Sequence, residues 1–165
     1  MFESSVLKNV NAVNKLVMME NQRLEHIQSF VGKQFTGSPS PFAHWLKGKV
    51  ISVEAQSVEF QFMVRKEMTN PVGMLHGGVI SGMIDDCMGV NFFILGLEYF
   101  YPTINLNVEF FSPASEGETV IVKTQMIKQG KTVINIKADV INESTKKLVA
   151  QATSNLVVSS IKMPL

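Results

Sequence analysis

Residues 76–97 read His-Gly-Gly-Val-Ile-Ser-Gly-Met-Ile-Asp-Asp-Cys-Met-Gly-Val-Asn-Phe-Phe-Ile-Leu-Gly-Leu, and this stretch decides the fold. At about 100° per residue, Val79, Ile80, Met83, Ile84, Cys87, Met88, Val90, Ile94 and Leu95 fill one broad face of a helix. The opposite arc is narrow and made of small residues, Ser81, Gly82 and Gly89, with Asp85 at its centre and Asp86 at its edge. A helix apolar over most of its girth must be covered nearly all round by other elements. A membrane span is a poor alternative, because Asp85, Asp86, Asn91 and three glycines interrupt the apolar run from Val79 to Leu97.

On both sides of this helix the hydrophobic period is two. Val58, Phe60, Phe62 and Val64 alternate with Glu59, Gln61, Met63 and Arg65, the pattern of a half-buried strand, and a strand near Val50–Ala55 precedes it as a hairpin partner. After the helix, Ile104, Leu106, Val108 and Phe110 alternate with Thr103, Asn105, Asn107 and Glu109. Further strands are expected near Thr119–Lys128, Thr132–Asn142 and Leu148–Ser159. Two strands, one long helix and four strands predict an α+β fold in which an antiparallel sheet wraps a central helix.

The first 41 residues differ in character. Val6, Val10, Val13, Val17, Leu24, Ile27 and Val31 recur at spacings of three, four and seven, which predicts an amphipathic helix or helix pair over Ser4–Val31. Gly37-Ser38-Pro39-Ser40-Pro41 breaks it, and a short helical turn is expected over Phe42–Lys47. The chain therefore divides into an N-terminal helical extension, residues 1–41, and a main domain, residues 42–165.

Bulk properties narrow the functions. A length of 165 residues suits one domain with its own core. The net charge of +1 supplies no long-range field for nucleic acid, so an anionic ligand must be held by local groups. One cysteine and three scattered histidines make neither a disulfide framework nor a metal cluster, and no cofactor is expected. Cys87, in the middle of the apolar face, reads as a buried inert thiol. Glu3 near the start, with no apolar core and cleavage site after it, argues against a secretory signal, and a cytoplasmic location is expected.

The chemistry concentrates at the helix start. If the helix begins at Gly77, its first N–H groups lack intrahelical acceptors, and the missing side chains of Gly77 and Gly78 let a carbonyl approach the backbone. Such donors, assisted by the helix dipole, are suited to a developing oxyanion. A carboxylate in the same helix is costly to leave unpaired, which marks Asp85 ahead of Asp86 as the functional acid. Eight residues separate Gly77 from Asp85, about 12 Å of helix rise, whereas reacting groups must meet within roughly 3–3.5 Å. One helix cannot serve one substrate with both. Two helices packed antiparallel across a two-fold axis can, each Gly77 end meeting the partner subunit's Asp85, so a homo-oligomer with shared sites is predicted.

Three nearby residues have two readings each. His76 is a proton donor or ligand-orienting group, or else the cap of the helix entry. Asn70, before Pro71 and Gly73, forms a turn or orients a reacting group. Thr103 is an ordinary strand hydroxyl unless the site lies against it.

Taken together, Asn70 through Gly78, then Asp85, then the strand Pro102–Phe111 ending in Ser112-Pro113-Ala114, then Lys128-Gln129-Gly130-Lys131-Thr132, resemble the hotdog-fold thioesterases, in particular the PaaI-like acyl-CoA thioesterases. The resemblance covers roughly residues 42–159. It implies hydrolysis of an acyl-CoA, with Asp85 as nucleophile or general base and the Gly77 N–H of the other subunit polarising the thioester carbonyl. It also implies substrate or water positioning by Asn70 and His76, a water-orienting hydroxyl at Thr103, and CoA contacts at Ser112, Pro113, Ala114, Lys128, Gly130, Lys131 and Thr132. A dimer or dimer of dimers follows from the same likeness. Two other activities stay compatible with the fold: a 3-hydroxyacyl thioester dehydratase using histidine with a carboxylate, and a non-catalytic acyl-CoA sensor. The extension has no basic recognition-helix pattern, which argues against a DNA reader.

Overall fold

The computed structural model describes residues 22–163. Six strands, β1 (Lys49–Glu54), β2 (Ser57–Met63), β3 (Thr103–Phe110), β4 (Thr119–Gln129), β5 (Val133–Asn142) and β6 (Leu148–Val157), form one antiparallel sheet in the order β1-β2-β4-β5-β6-β3. Among the described residues three α-helices, α1 over 22–28, α2 (Pro41–Leu46) and the central α3 (Gly77–Phe93), and one 3-10 turn (Lys66–Met68) accompany it. The α+β architecture read from the alternation is the one observed.

The period-two pattern converts directly into burial. In β5 every second residue from Ile134 to Asn142 is buried, and the inward set faces α3, which packs against β2, β3, β4 and β5. Met83, Ile84 and Met88 of α3 are completely enclosed, each contributing roughly 1.5–3 kcal/mol of apolar burial. Asn91, which in the sequence only interrupts the apolar run, is equally enclosed. Its Nδ2 donates to Thr124 Oγ1 at 2.8 Å and to the Gln56 carbonyl at 3.2 Å, so it ties the C-terminal half of α3 to β4. The small-residue arc is open around Asp85 and Gly89, which are exposed, while the Phe42 ring closes over Gly82.

The two sheet edges are treated differently. Residues 32–35 run along β1, with Gly32 N–H donating to the Val50 carbonyl at 2.9 Å and Phe35 N–H to the Gly48 carbonyl at 2.8 Å. At the other edge no described strand pairs with the free side of β3, and β3 exposes Ile104 and Phe110 by 58% and 54%. An uncovered edge with apolar side chains is a template for another chain.

The N-terminal region departs from the amphipathic helix or helix pair expected over Ser4–Val31. Residues 1–21 lie outside the described residues, so the helix predicted there is not addressed. From residue 22 the helix runs only to 28, followed by turns, and Gly32 adopts a left-handed φ of +81°. Val31, expected on the apolar face, is 45% exposed because the helix has ended before it. Ile27 and Phe35 nevertheless belong to the same core as the sheet, at 1% and 6% exposure. The Ser40 hydroxyl accepts from Ala43 N–H and Pro41 stands at the first helical position, which is how the predicted turn after the Pro-rich connection becomes α2.

Candidate active site

The helix start falls where the glycine pair indicated. His76 is the N-cap of α3, with extended backbone, and its Nδ1 accepts from Gly78 N–H at 2.9 Å. Because Nδ1 is an acceptor, the neutral ring carries its proton on Nε2. Of the two readings of His76, the capping geometry is the one present. The Gly77 N–H meets no acceptor among the described residues. A side chain at Gly77 would place its Cβ 3.2 Å from Phe110 Cζ, so the absence of a side chain is what lets this ring lie beside the helix start.

Asn70 approaches the same point through a turn. Gly73 N–H donates to the Asn70 carbonyl at 3.0 Å with Gly73 at φ +78°, and the Asn70 side-chain oxygen accepts from Val72 N–H and Met74 N–H, each at 3.1 Å. The oxygen being engaged, the amide NH2 has no acceptor among the described residues and is left as a donor. Leu75 N–H donates to the Ala114 carbonyl at 2.7 Å, which fastens this turn to the segment after β3. The result is a cavity of about 330 Å³ lined by Asn70, Gly77, Ile80, Phe110 and Ser112–Ala114. His76 is not among its lining residues.

Asp85 stands in a second cavity, of about 360 Å³, on the open arc of α3. Thr103, at the start of β3, donates from Oγ1 to Asp85 Oδ1 at 2.9 Å. Asp86 lines the same cavity and is half-buried; burial, with the charge of Asp85 second, pushes its carboxyl up to about 6. Burial also raises the Cys87 thiol well above its usual range, as the inert-thiol reading requires.

One chain thus divides the sequence-derived residues into two groups. Asn70, Gly77, Ser112, Pro113 and Ala114 share the first cavity, while Asp85 and Thr103 share the second. Lys128, Gly130, Lys131 and Thr132 lie at the β4–β5 hairpin, far from Ser112–Ala114 and at the Thr103 end of the sheet. Tyr101 Oη donates to the Lys131 carbonyl at 3.3 Å, and Val158 N–H donates to that of Thr132 at 2.9 Å. β3 runs against α3, with Thr103 beside Asp85 and Phe110 beside Gly77, so the two groups occupy opposite ends of the strand.

Several lining residues carried little signal in the sequence. Phe110 and Phe111 are adjacent aromatics at a strand end, and period two prevents both from facing the core; both are more than half exposed. That break in alternation was the available sign. His26, Phe35 and residues 37–40, which line the Asp85 cavity, gave none, because their approach to α3 depends on contacts remote in sequence.

The profile of the thioesterase superfamily matches residues 72–149, which span the Gly77 helix start, Asp85 and the whole of β3. Human acyl-coenzyme A thioesterase 13 is 33% identical over 108 residues, covering 63% of this chain and 76% of that protein. A phenylacetic acid degradation-related protein from Ralstonia eutropha JMP134 superposes with a TM-score of 0.66 at 30% identity, covering 74% of this chain and 94% of that one. The Escherichia coli PaaI protein of the phenylacetic acid degradation operon shares the fold at a TM-score of 0.73 and 17% identity, over 90% of this chain and 99% of its own. Being 33% identical to a relative of which it covers 76%, and sharing the fold of its structural neighbours, the chain belongs to the thioesterase superfamily, with the hotdog fold.

Proposed function

We propose that the protein hydrolyses an acyl-CoA thioester to a free acid and CoA. The observation that carries this reading is the unpaired Gly77 N–H at the N-terminus of α3, in a cavity that also holds the free amide of Asn70. These are donors for a carbonyl oxygen that becomes an oxyanion, and one such donor is worth roughly 3–4 kcal/mol in the transition state.

The acid comes from the other subunit. Asp85 and Thr103 line a separate cavity in the same chain, while the free edge of β3 and its exposed Ile104 and Phe110 provide a surface for a second copy. Pairing two chains antiparallel would set the Gly77 end of one against Asp85 of the partner subunit. It would also bring the β4–β5 hairpin with Lys128, Gly130, Lys131 and Thr132 toward Ser112–Ala114 of the other chain, uniting the CoA-contact residues that a single chain keeps apart.

In this reading Asp85 of the partner subunit removes a proton from water, and the water oxygen bonds to the thioester carbon. The carbonyl electron pair moves onto oxygen, held by Gly77 N–H and assisted by Asn70. Collapse of the intermediate breaks the carbon–sulfur bond, and the proton on Asp85 passes to the departing thiolate. Thr103 spends its hydroxyl proton on Asp85 and keeps its lone pairs for the attacking water. Direct attack by Asp85 is the alternative route, which a single turnover in ¹⁸O water distinguishes by label entering the Asp85 carboxyl.

His76 bears on the dehydratase alternative. Its Nδ1 is occupied by Gly78 N–H and it does not line the Gly77 cavity, which favours hydrolysis over histidine-based dehydration. The deciding assay is thiol release from short, medium, long and aryl acyl-CoAs. Release that is abolished in Asp85→Ala is expected. No release from any substrate, or undiminished release in that variant, would falsify the hydrolase reading, and tight binding without turnover would favour the sensor.

A further inference from the structure

The ridge of α3 between Gly77 and Asp85 carries an aromatic ring from α2. Gly82 follows Gly77 by five residues and precedes Asp85 by three, about 7.5 Å and about 4.5 Å of helix rise. A Cβ added at Gly82 would stand 2.5 Å from Phe42 Cζ, so the ring lies against the helix backbone and only glycine leaves it room. Phe42 lines neither the Gly77 cavity nor the Asp85 cavity; it stands on the helix between them.

The ring is held there from its own short helix. Ala43 and Leu46 bury one side of α2. The Arg65 guanidinium donates to the carbonyls of Trp45 and Leu46 and lies 5.5 Å from the Trp45 ring centroid. Trp45 in turn stacks on Phe42, with 5.7 Å between centroids and 22° between planes. Despite this anchoring, Phe42 remains 43% exposed on the side of the helix that carries Asp85.

We propose that Phe42, seated on Gly82, is a positioning residue: a spacer beside the two-fold axis that fixes the gap between the Gly77 N–H of one subunit and Asp85 of the partner subunit. The inference rests on the shared-site acyl-CoA reading. If Gly77 of each chain meets Asp85 of the other, the axis passes opposite the midpoint of that interval, Ser81, one residue from the seat of the ring. Packed helices lie about 8–10 Å apart according to the side chains between them, so the bulk of a fixed ring at this point sets how near the two reacting ends come. A misplacement of about 1 Å costs on the order of 10²-fold in rate, while the groups that hold the ligand elsewhere are untouched. The mark of such a spacer is a loss in kcat and not in binding.

Paired substitutions test it. Phe42→Ala removes the spacer and Gly82→Ala lifts the ring off the helix. Each is expected to lower kcat on the best acyl-CoA by at least about tenfold, with calorimetric affinity for its uncleavable thioether analogue changed by less than about twofold. Phe42→Tyr, which keeps the ring, should stay near the wild type. Gly82→Ala combined with Phe42→Leu, whose smaller side chain accommodates the added methyl, is expected to recover most of the loss of Gly82→Ala. Light scattering and thermal unfolding are followed in parallel, because a purely stabilising role of Phe42 would lower the Tm and leave the kcat of the folded dimer unchanged. Should Phe42→Ala no longer dimerise, the Gly82→Ala pair decides alone. Wild-type kcat in folded, dimeric Gly82→Ala overturns the inference, as does a double variant no better than Gly82→Ala. A wild type that turns over no acyl-CoA removes the hydrolase reading and this inference together, whereas an active wild type with unaffected variants removes the inference alone.

Discussion

The Thr103 hydroxyl donates to Asp85 Oδ1 at 2.9 Å, joining the first residue of the edge strand to the carboxylate at the centre of the open helix arc. It is the one side-chain donor to Asp85 among the described residues. The bond fixes the carboxylate and directs the hydroxyl lone pairs outward, where water can donate to them. Thr103→Val keeps the shape and loses the donor. Its expected effect is a fall in kcat of about tenfold with KM little changed, and Thr103→Ser should recover most of the loss. Steady-state kinetics of the two variants on the best acyl-CoA checks this; a normal kcat in Thr103→Val removes Thr103 from the reaction.

Gly77 permits a substitution that deletes the proposed oxyanion donor and little else. It is the first residue of α3, His76 before it is already extended at φ −67° and ψ 134°, and proline is accepted at that helical position. Gly77→Pro therefore removes the N–H while conserving the helix start, although Phe110 must shift by a few tenths of an ångström. We expect kcat to fall by about 10²–10³. Gly77→Ala meets the same ring but retains the N–H, so it should lose far less. Equal losses in the two variants would mean that crowding at Phe110, and not the donor, is what matters.

Asp86 sets a pH dependence of stability. Its carboxyl, held at about 6 by burial and then by Asp85, ionises in the unfolded chain near the ordinary 3.8. Below that value the group is protonated in both states and makes no difference. As pH rises from about 4 to about 6 the unfolded chain releases the proton first, so the folded state loses stability, and above about 6 the loss is complete. Asp86→Asn should be more stable than the wild type at pH 7.5 by about 3 kcal/mol and close to it at pH 4. Denaturant titrations at the two pH values and one fixed protein concentration measure this. A variant that is no more stable at the higher pH contradicts it.

Local rules made much of the fold legible. The alternation in Val58–Arg65 and Thr103–Phe110 identified β2 and β3 because a half-buried strand leaves a period-two trace, and the Gly77-Gly78 pair marked the helix start to the residue. Spacing alone also separated Gly77 from Asp85, and the two residues line different cavities. What could not be read depends on partners distant in the chain. Asn91 is buried because Thr124 and Gln56 happen to face it, 33 and 35 residues away. The return of residues 26–40 onto α3 is set by Ile27 and Phe35 entering a core built mostly from strands, and no periodicity within that segment encodes it. Lys128 and Ser112 fall in one set of CoA contacts by resemblance, yet the topology sends them to opposite ends of the sheet.

The central claim is that each active site takes Gly77 from one subunit and Asp85 from the other, and subunit complementation tests it most directly. Gly77→Pro and Asp85→Ala, each nearly inactive alone, are unfolded, mixed in equal amounts and refolded together. Half of the dimers formed are mixed, and in each of these one of the two sites combines an intact Gly77 with an intact Asp85, so the account predicts recovery to about a quarter of wild-type activity. A mixture no more active than its two components, in material shown to contain mixed dimers, would contradict a shared site.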